Sequence, residues 1–184
     1  MALLTSPAVK PGWQAQSFEL ADPDGKHYSL EGLLNDKGLL IAFICNHCPY
    51  VKAIAARLAA DARALQDEGI NVVAINPNDY RAVAADSPPM MKRFAAEHGF
   101  SFPYLVDEDQ SVARVYDAVC TPDFFGLNGT GELQYRGRLD DARMEDASER
   151  TPELLNAMRQ IAATGSGPET QYPSMGCSIK WRPS

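Results

Sequence analysis

The chain has 184 residues, of which 45% are hydrophobic and 22% are charged, and its formal net charge is −7. This length suits one globular domain with a real core, and the negative charge argues against nonspecific nucleic-acid binding, which needs a basic surface. No run approaches the ~20 apolar residues of a membrane span, and the first residues lack the basic start and apolar core of a signal peptide. We therefore expect a cytoplasmic protein that contacts neither nucleic acid nor a membrane.

The first half of the chain alternates between strand and helix patterns. Residues 17–20 and 27–30 flank the turn Asp22-Pro23-Asp24-Gly25 and predict a hairpin. Residues 39–44 form a continuous apolar run that is typical of a buried central strand. The apolar spacing after this run predicts a helix that has Cys48 in its first turn, ends at about Glu68 and is capped by Gly69. Residues 70–75 predict a second buried strand.

The second half begins with a helix that Ser87 should cap, with Pro88 at its first position. A short strand over 104–106 and a short helix around 112–116 follow. Residues 124–128 and 133–139 predict an antiparallel hairpin, and the last helix is expected to run from Thr151-Pro152 to about Ala163.

The predicted hairpin carries three large apolar side chains on its second strand. Leu133, Tyr135 and Leu139 lie an even number of residues apart, so they are expected to share one buried face.

This order of elements predicts an α/β protein with a central mixed sheet flanked by helices on both faces. Right-handed crossovers would place the loop after strand 39–44 at the carboxyl edge of the sheet, where ligands usually bind. We expect a single domain over residues 1–184, with a core of about 12–164 and a docked C-terminal tail, 165–184.

The motif Cys45-Asn46-His47-Cys48, which directly follows the predicted central strand, is the strongest indication of function. Two cysteines separated by two residues can exchange disulfides, share a metal or be two structural thiols. A thiol at the start of a helix lies at the positive end of the helix dipole, which favours the thiolate, and His47 can add positive charge. In a reducing compartment, catalysis or metal binding is favoured over a structural role.

Two further segments carry cysteines. In Cys120-Thr121-Pro122, a proline that enters a central hairpin is expected to be cis, which would leave the Thr121 backbone free to pair with an extended peptide or thiol substrate. The alternative is an ordinary trans proline in a turn. Cys177 lies in an apolar tail with Ile179 and Trp181, and it is either a resolving thiol near the site or a buried, inert cysteine.

Together, four motifs resemble the peroxiredoxin-like (alkyl hydroperoxide reductase/thiol-specific antioxidant) branch of the thioredoxin superfamily. The resemblance extends from about Gly12 to Trp181 and implies a thioredoxin-like fold with an N-terminal hairpin and an inserted βα unit. The motifs are the stretch 45–51, the loop 76–79, Cys120-Thr121-Pro122-Asp123 and the tail stretch 176–181.

The chain departs from this branch in ways that bear on chemistry. Cys48 matches the cysteine that attacks peroxide, but Cys45 stands where peroxiredoxins have threonine and Pro122 stands where they have arginine. Thioredoxins also keep a buried carboxylate where this chain has Leu39. The thioredoxin resemblance implies that Cys45 attacks and Cys48 resolves, whereas the peroxiredoxin resemblance implies attack by Cys48. Because the threonine and arginine are missing, Cys45 is favoured.

The sequence therefore predicts a thiol-disulfide oxidoreductase that uses Cys45 and Cys48, supported by His47, Thr121 and Pro122. One alternative is an atypical thiol peroxidase in which Cys48 is peroxidatic and Cys45, Cys120 or Cys177 resolves. A second alternative is a metal-binding module built from the same cysteines and His47.

The expected partners are a disulfide-containing protein, or a small thiol or peroxide substrate, and an external thiol reductant. Dithiol chemistry needs no organic cofactor, so none is expected, and the leading hypothesis assigns no metal.

Overall fold

The computed structural model describes residues 2–10 and 12–184. The chain folds into ten strands and five α-helices within these residues, with a short 3-10 helix at Ala84–Asp86. The strands are β1 (Leu3–Thr5), β2 (Glu19–Ala21), β3 (His27–Ser29), β4 (Leu39–Phe43), β5 (Asn71–Asn76), β6 (Tyr104–Val106), β7 (Cys120–Thr121), β8 (Asp123–Leu127), β9 (Leu133–Gly137) and β10 (Met175–Ser178). The helices are α1 (Leu30–Leu33), α2 (Pro49–Asp67), α3 (Pro88–His98), α4 (Ser111–Val115) and α5 (Glu153–Thr164).

The main sheet has seven strands in the order β3-β2-β6-β5-β4-β8-β9. Strands β4, β5 and β6 are parallel, while β8 and β9 run antiparallel beside β4. The predicted mixed α/β sheet is thus confirmed. All five residues of β4 are buried, because its side chains alternate between two cores on opposite faces of the sheet.

The two cores are covered by different helices. Leu40 and Ala42 of β4 face the core that α2, α3 and α5 cover. The other residues of β4 face the core that contains residues of α1 and α4. Helix α2 is long and buries a stripe at helical spacing, which fixes its orientation along β4 and therefore the direction in which its N-terminus points. That stripe consists of Val51, Ile54, Ala55, Leu58, Ala62 and Leu65.

The structure confirms several predicted helix ends and shifts one of them. Ser87 is the N-cap of α3 and Pro88 is its first residue, as predicted. Gly69 has a φ of +84°, which suits the left-handed turn that leaves α2. Cys48, however, is the N-cap of α2 and does not lie in its first turn, because the helix starts at Pro49, a residue that favours the first helical position.

The expectation that Leu133, Tyr135 and Leu139 share one face was wrong. Leu133 packs in the core on the α1 side, whereas Tyr135 and Leu139 pack in the core on the α2 side. The reason is a register shift between Gly126 and Leu127, where the pairing steps from Tyr135 to Leu133 and gives β9 one extra residue. Such a bulge reverses the side of the sheet that the following residues face.

A second sheet, which the sequence did not predict, joins the two ends of the chain to the middle. Its order is β1-β10-β7, and both pairings are antiparallel. Cys177 of β10 lies opposite Thr121 of β7, and the Thr121–Pro122 peptide bond is cis, as predicted. No helix of the described residues is both long and apolar enough to cross a membrane.

A buried ion pair holds the strand that follows the cis-proline. Arg136 of β9 donates to Asp123 of β8 at 2.8 Å, and the two side chains are 4% and 0% exposed. The Arg136 guanidinium also stacks on Phe125 and donates to the Asp117 carbonyl oxygen at 2.7 Å. Burial raises the pKa of Asp123 to about 6, although the nearby Arg136 opposes this shift.

Replacing Arg136 with methionine should lower the free energy of unfolding by about 3–5 kcal/mol, because it leaves the Asp123 carboxylate buried without its partner. The folded-state pKa of Asp123 already lies above its ordinary value of 3.8. The Asp123 carboxyl of the folded protein therefore holds a proton at mildly acidic pH. The loss of unfolding free energy in Arg136→Met should then grow as the pH rises through and above 6. Urea unfolding at several pH values measures this effect.

The matched control is Arg93→Met, which removes an exposed arginine that pairs with Glu97 on the surface of α3. Exposed pairs contribute little, so this variant should unfold almost like the unsubstituted protein at every pH. Equal losses in the two variants, or a loss in Arg136→Met that does not depend on pH, would contradict a stabilising role for the buried pair.

Candidate active site

Three of the four cysteines converge on Thr121. The Cys48 sulfur lies 2.8 Å from the Cys177 sulfur and 3.3 Å from the Thr121 carbonyl oxygen. The Cys45 sulfur lies 3.2 Å from the Thr121 hydroxyl oxygen. All four cysteines are free thiols, and these three are at most 3% exposed. The site is therefore a closed thiol cluster beside the cis-proline.

Separate parts of the fold position these thiols. The loop that carries Cys45 leaves the end of β4, where the Ile44 N–H still donates to the Ile75 carbonyl oxygen of β5. Cys48 caps α2, so its sulfur lies at the positive end of a 19-residue helix. Cys177 is carried by β10. The cluster thus combines residues that lie up to 132 positions apart in the sequence.

The carboxylate of Asp86 organises the loop between the two cysteines. One oxygen accepts the backbone N–H groups of Asn46 and His47 at 2.7 and 3.2 Å. The other accepts the His47 ring Nδ1–H at 2.6 Å and the Asn78 amide at 2.8 Å. Asp86 is 0% exposed. Burial alone would raise the pKa of Asp86, but the hydrogen bonds from His47 and Asn78 outweigh it and hold that pKa below its ordinary value.

Two further polar side chains complete the support of this loop. Tyr104 of β6 donates its hydroxyl to the Asn46 side chain at 2.9 Å. Asn76 of β5 donates to the Asp86 backbone carbonyl at 3.1 Å. The loop 76–79, which carries part of the family resemblance, therefore lies against the dithiol loop.

The environment separates the pKa values of the clustered thiols. The pKa of Cys48 is lowered to about 5, chiefly because the Cys45 thiol donates to it, with help from the Cys177 thiol and the Val51 N–H and against the effect of burial. The pKa of Cys45 is raised well above its ordinary value by that same hydrogen bond, by burial and by the nearby Asp86 charge. Burial and the contact with Cys48 raise the pKa of Cys177 to about 12. Of these three thiols, Cys48 is therefore the one whose pKa is lowered.

The structure brings together most of the candidate residues from the sequence. Cys45, Cys48, Thr121 and Cys177 are in contact, and His47 borders them with a side chain that is 16% exposed. Pro122 follows Thr121 through the cis bond.

Cys120 makes its hydrogen bond outside this group. Its thiol donates to the Pro122 carbonyl at 3.7 Å, and burial raises its pKa. Nothing in this conformation brings its sulfur against the Cys48 sulfur.

Asp86 is the residue that the sequence analysis missed. It directly precedes the N-cap Ser87 and follows two alanines, a pattern that indicates a helix start and nothing about chemistry. Its contact with His47 spans 39 positions, so only the tertiary structure, which places the 3-10 helix Ala84–Asp86 against the dithiol loop, reveals it.

The donor atoms of Cys45, His47 and Asp86 lie within 4.8 Å of one another. The His47 Nδ1 and both carboxylate oxygens are already engaged in the hydrogen bonds described above. The arrangement therefore serves to hold the loop, and the metal-binding alternative stays a prediction. Retention of stoichiometric zinc or copper(I) through purification, lost in Cys45→Ser, would support it.

Replacing Cys45 with alanine should raise the pKa of Cys48, because the strongest hydrogen bond to its thiolate is lost. In the unsubstituted protein, the ultraviolet absorbance of the thiolate should appear as the pH rises through about 5. Cys45→Ser keeps a hydroxyl donor, so the pKa of Cys48 in this variant should lie between its values in the unsubstituted protein and in Cys45→Ala. The control is Cys48→Ser, which should show no thiolate at this pH. An unchanged titration in Cys45→Ala would contradict the assignment.

Comparisons with known proteins identify the family of this chain. The AhpC/TSA family model matches residues 11–139. The thiol-disulfide oxidoreductase ResA of Bacillus subtilis (strain 168) is 26% identical over 126 residues, which cover 68% of this chain and 66% of ResA, just under two thirds of its length.

Two solved structures are similar over nearly the whole chain. A conserved protein from Geobacillus kaustophilus has 42% identity and a TM-score of 0.94, covering 100% of this chain and 98% of that one. Protein SMc02350 of Sinorhizobium meliloti 1021 has 37% identity and a TM-score of 0.92, covering 98% and 99%. With a family model that matches more than two thirds of its length and a thiol cluster beside a cis-proline, the chain belongs to the AhpC/TSA family.

Proposed function

We propose that this protein is a thiol-disulfide oxidoreductase in which Cys48 provides the attacking thiolate and Cys45 resolves. The observation that carries the proposal is the Cys48 sulfur at the cap of α2, beside the cis-proline and 2.8 Å from the Cys177 sulfur. The hydrogen bond from Cys45, which lowers the pKa of Cys48, supports it. A thiolate is the nucleophile in disulfide exchange, and a second thiol within reach is needed to release the mixed disulfide. ResA, a relative of this chain, is a thiol-disulfide oxidoreductase, which supports the same chemistry here.

The assignment of the two roles reverses the sequence preference for Cys45. Cys45 is less suited to attack because its pKa is raised and its sulfur faces the Thr121 hydroxyl. Cys48 caps the helix, and its lowered pKa lets it be ionised at neutral pH. These features support Cys48 as the attacker.

The reaction balances as two exchanges. The Cys48 thiolate attacks one sulfur of the substrate disulfide, that bond breaks, and the other substrate sulfur leaves as a thiolate and takes up a proton. Cys45 then loses its proton and attacks the Cys48 sulfur. The Cys45–Cys48 disulfide forms while the first substrate sulfur leaves as a thiolate. Two electrons pass from the dithiol to the substrate, and an external thiol reductant restores the dithiol.

Cys48→Ser should abolish the reduction of a model disulfide such as insulin, because no thiolate of low pKa remains. Cys45→Ser should also lose turnover, but it should accumulate a mixed disulfide between Cys48 and the substrate, which mass spectrometry can map. Cys120→Ser is the control, because its sulfur makes no contact with Cys48, and it should keep full activity. A mixed disulfide trapped on Cys45 in the Cys48→Ser variant would restore the opposite assignment of roles.

A second candidate function is an atypical thiol peroxidase, because Cys48 matches the peroxidatic cysteine and has the lowered pKa that peroxide attack requires. The thiolate would attack one peroxide oxygen, the O–O bond would break, and water or an alcohol would leave. The resulting sulfenic acid would condense with the Cys45 or Cys177 thiol to give a disulfide and water.

This candidate predicts that the protein consumes peroxide faster than a free thiol does, and that Cys48→Ser eliminates this activity. Pro122 stands where peroxiredoxins supply arginine, so we expect disulfide reduction to be the faster reaction. A peroxide rate above the disulfide rate would reverse the order of the two candidates. The expected cytoplasmic location stays a prediction that cell fractionation would check.

A further inference from the structure

Strand β10 covers the part of the site that an exchange partner would need to reach. It is the middle strand of the sheet β1-β10-β7 and pairs with β7 at Cys177–Thr121 and Ser178–Cys120. Cys45 and Cys48 are both 0% exposed beneath it. A thiol can attack only a sulfur that it can reach, so this closed arrangement must open during any reaction with another molecule.

Within β10, Cys177 occupies the place of an incoming sulfur. Its sulfur lies 2.8 Å from the Cys48 sulfur, longer than the ~2.05 Å of a disulfide bond and close enough for attack. The backbone of Cys177 is at the same time paired with Thr121, the residue before the cis-proline. The tail thus presents a cysteine to Cys48 on an extended strand, as a peptide substrate would.

The two residues before Cys177 indicate which side chains fit in a strand that pairs with β7. A Cβ atom at Gly176 would lie 1.9 Å from the Thr121 carbonyl oxygen, so the strand approaches β7 closely only because residue 176 has no side chain. Met175, two residues before the cysteine, lines a small cleft whose surface is mostly apolar, although Arg138, Asp140 and Arg143 also border it. The cleft also includes Tyr50, Ile54, Pro122 and Leu139.

From this arrangement we propose that β10 is an internal pseudosubstrate. The protein substrate is then an extended segment that replaces β10 on β7, with its cysteine in the place of Cys177, glycine before that cysteine and an apolar residue before the glycine. This proposal rests on the proposed exchange reaction and names its substrate class. The substrate binds only after β10 leaves, so the tail also covers the Cys48 thiolate when no partner is present.

The contacts of the tail define what its release must break. On one side, Ser174 exchanges hydrogen bonds with Ser6 at 2.9 Å and donates to the Pro122 carbonyl. On the other side, Lys180 is anchored to Asn78 at 2.8 Å. Strand β1 is exposed along all three of its residues, whereas Cys177 and Ile179 are buried. Release of β10 therefore requires these two side chains to leave the cores in which they pack.

The first test uses Gly176→Ala, whose methyl group would collide with the Thr121 carbonyl and push β10 off β7. Iodoacetamide should then alkylate Cys48 at least about tenfold faster, which corresponds to a shift of about 1.4 kcal/mol in the opening equilibrium. The matched control is Gly167→Ala. It meets the Gln134 carbonyl at a similar 2.0 Å earlier in the same tail, and it should leave the Cys48 rate unchanged.

Mass spectrometry of the alkylated cysteines separates release of β10 from unfolding. Cys120 is fully buried and has a raised pKa, so it should react only if the body of the protein unfolds. If Gly176→Ala proves unfolded, Ser174→Ala provides a milder change, because it removes only the hydrogen bond to Pro122. The closed-tail proposal would be overturned if Cys48 were alkylated at the same rate in a folded Gly176→Ala variant as in the unsubstituted protein.

The second test uses peptides in the disulfide-linked dimer form. The protein should reduce a dimer with the sequence of residues 173–179 at least about tenfold faster than a dimer with alanine in place of its glycine. Equal rates would overturn the substrate class. A different outcome separates the two proposals. If Cys48 is alkylated faster in Gly176→Ala but the protein reduces no disulfide, the exchange reaction is contradicted and the proposal that the tail covers Cys48 is retained.

Discussion

The buried carboxylate of Asp86 is the interaction on which the geometry of the site depends. An isolated buried carboxylate is costly, and it is retained where hydrogen bonds and a partner charge compensate. Asp86 accepts four hydrogen bonds, three of them from the loop between the two cysteines and one from Asn78. One anion therefore ties the loop after β4 to the loop after β5 and fixes the path of the chain between Cys45 and Cys48.

The same anion contributes to the separation of the two thiol pKa values. Its charge helps to raise the pKa of Cys45, while the hydrogen bond from Cys45 lowers the pKa of Cys48 at the cap of α2. A helix dipole on one side and a carboxylate on the other thus favour one ionisation state of the pair. In the proposed exchange reaction, this difference in pKa separates the attacking cysteine from the resolving one.

The cysteine with the lowered pKa, Cys48, is also inaccessible to other molecules in this fold. Cys48, whose pKa is lowered, is buried beneath β10, which approaches β7 at Gly176 and places Cys177 against it. In the proposed mechanism, closure protects the thiolate from adventitious oxidation, and the substrate must compete with β10 for the edge of β7. The buried pair Asp123–Arg136 holds the strand after the cis-proline and gives that edge a fixed position.

The local pattern of the sequence determined the α/β class, the central strand, the caps of α3 and the presence of a dithiol before a helix, because these depend on neighbouring residues. The cis form of Pro122 was also predictable, since a trans proline fits poorly at the entry to a central strand. Only the tertiary structure decided four other features. These are the role of Asp86, the β1-β10-β7 sheet, the side of the main sheet on which Leu133 packs, and the difference in pKa between Cys45 and Cys48. They depend on contacts across 39 to 174 positions, on a bulge and on burial, none of which has a periodic signal in the chain.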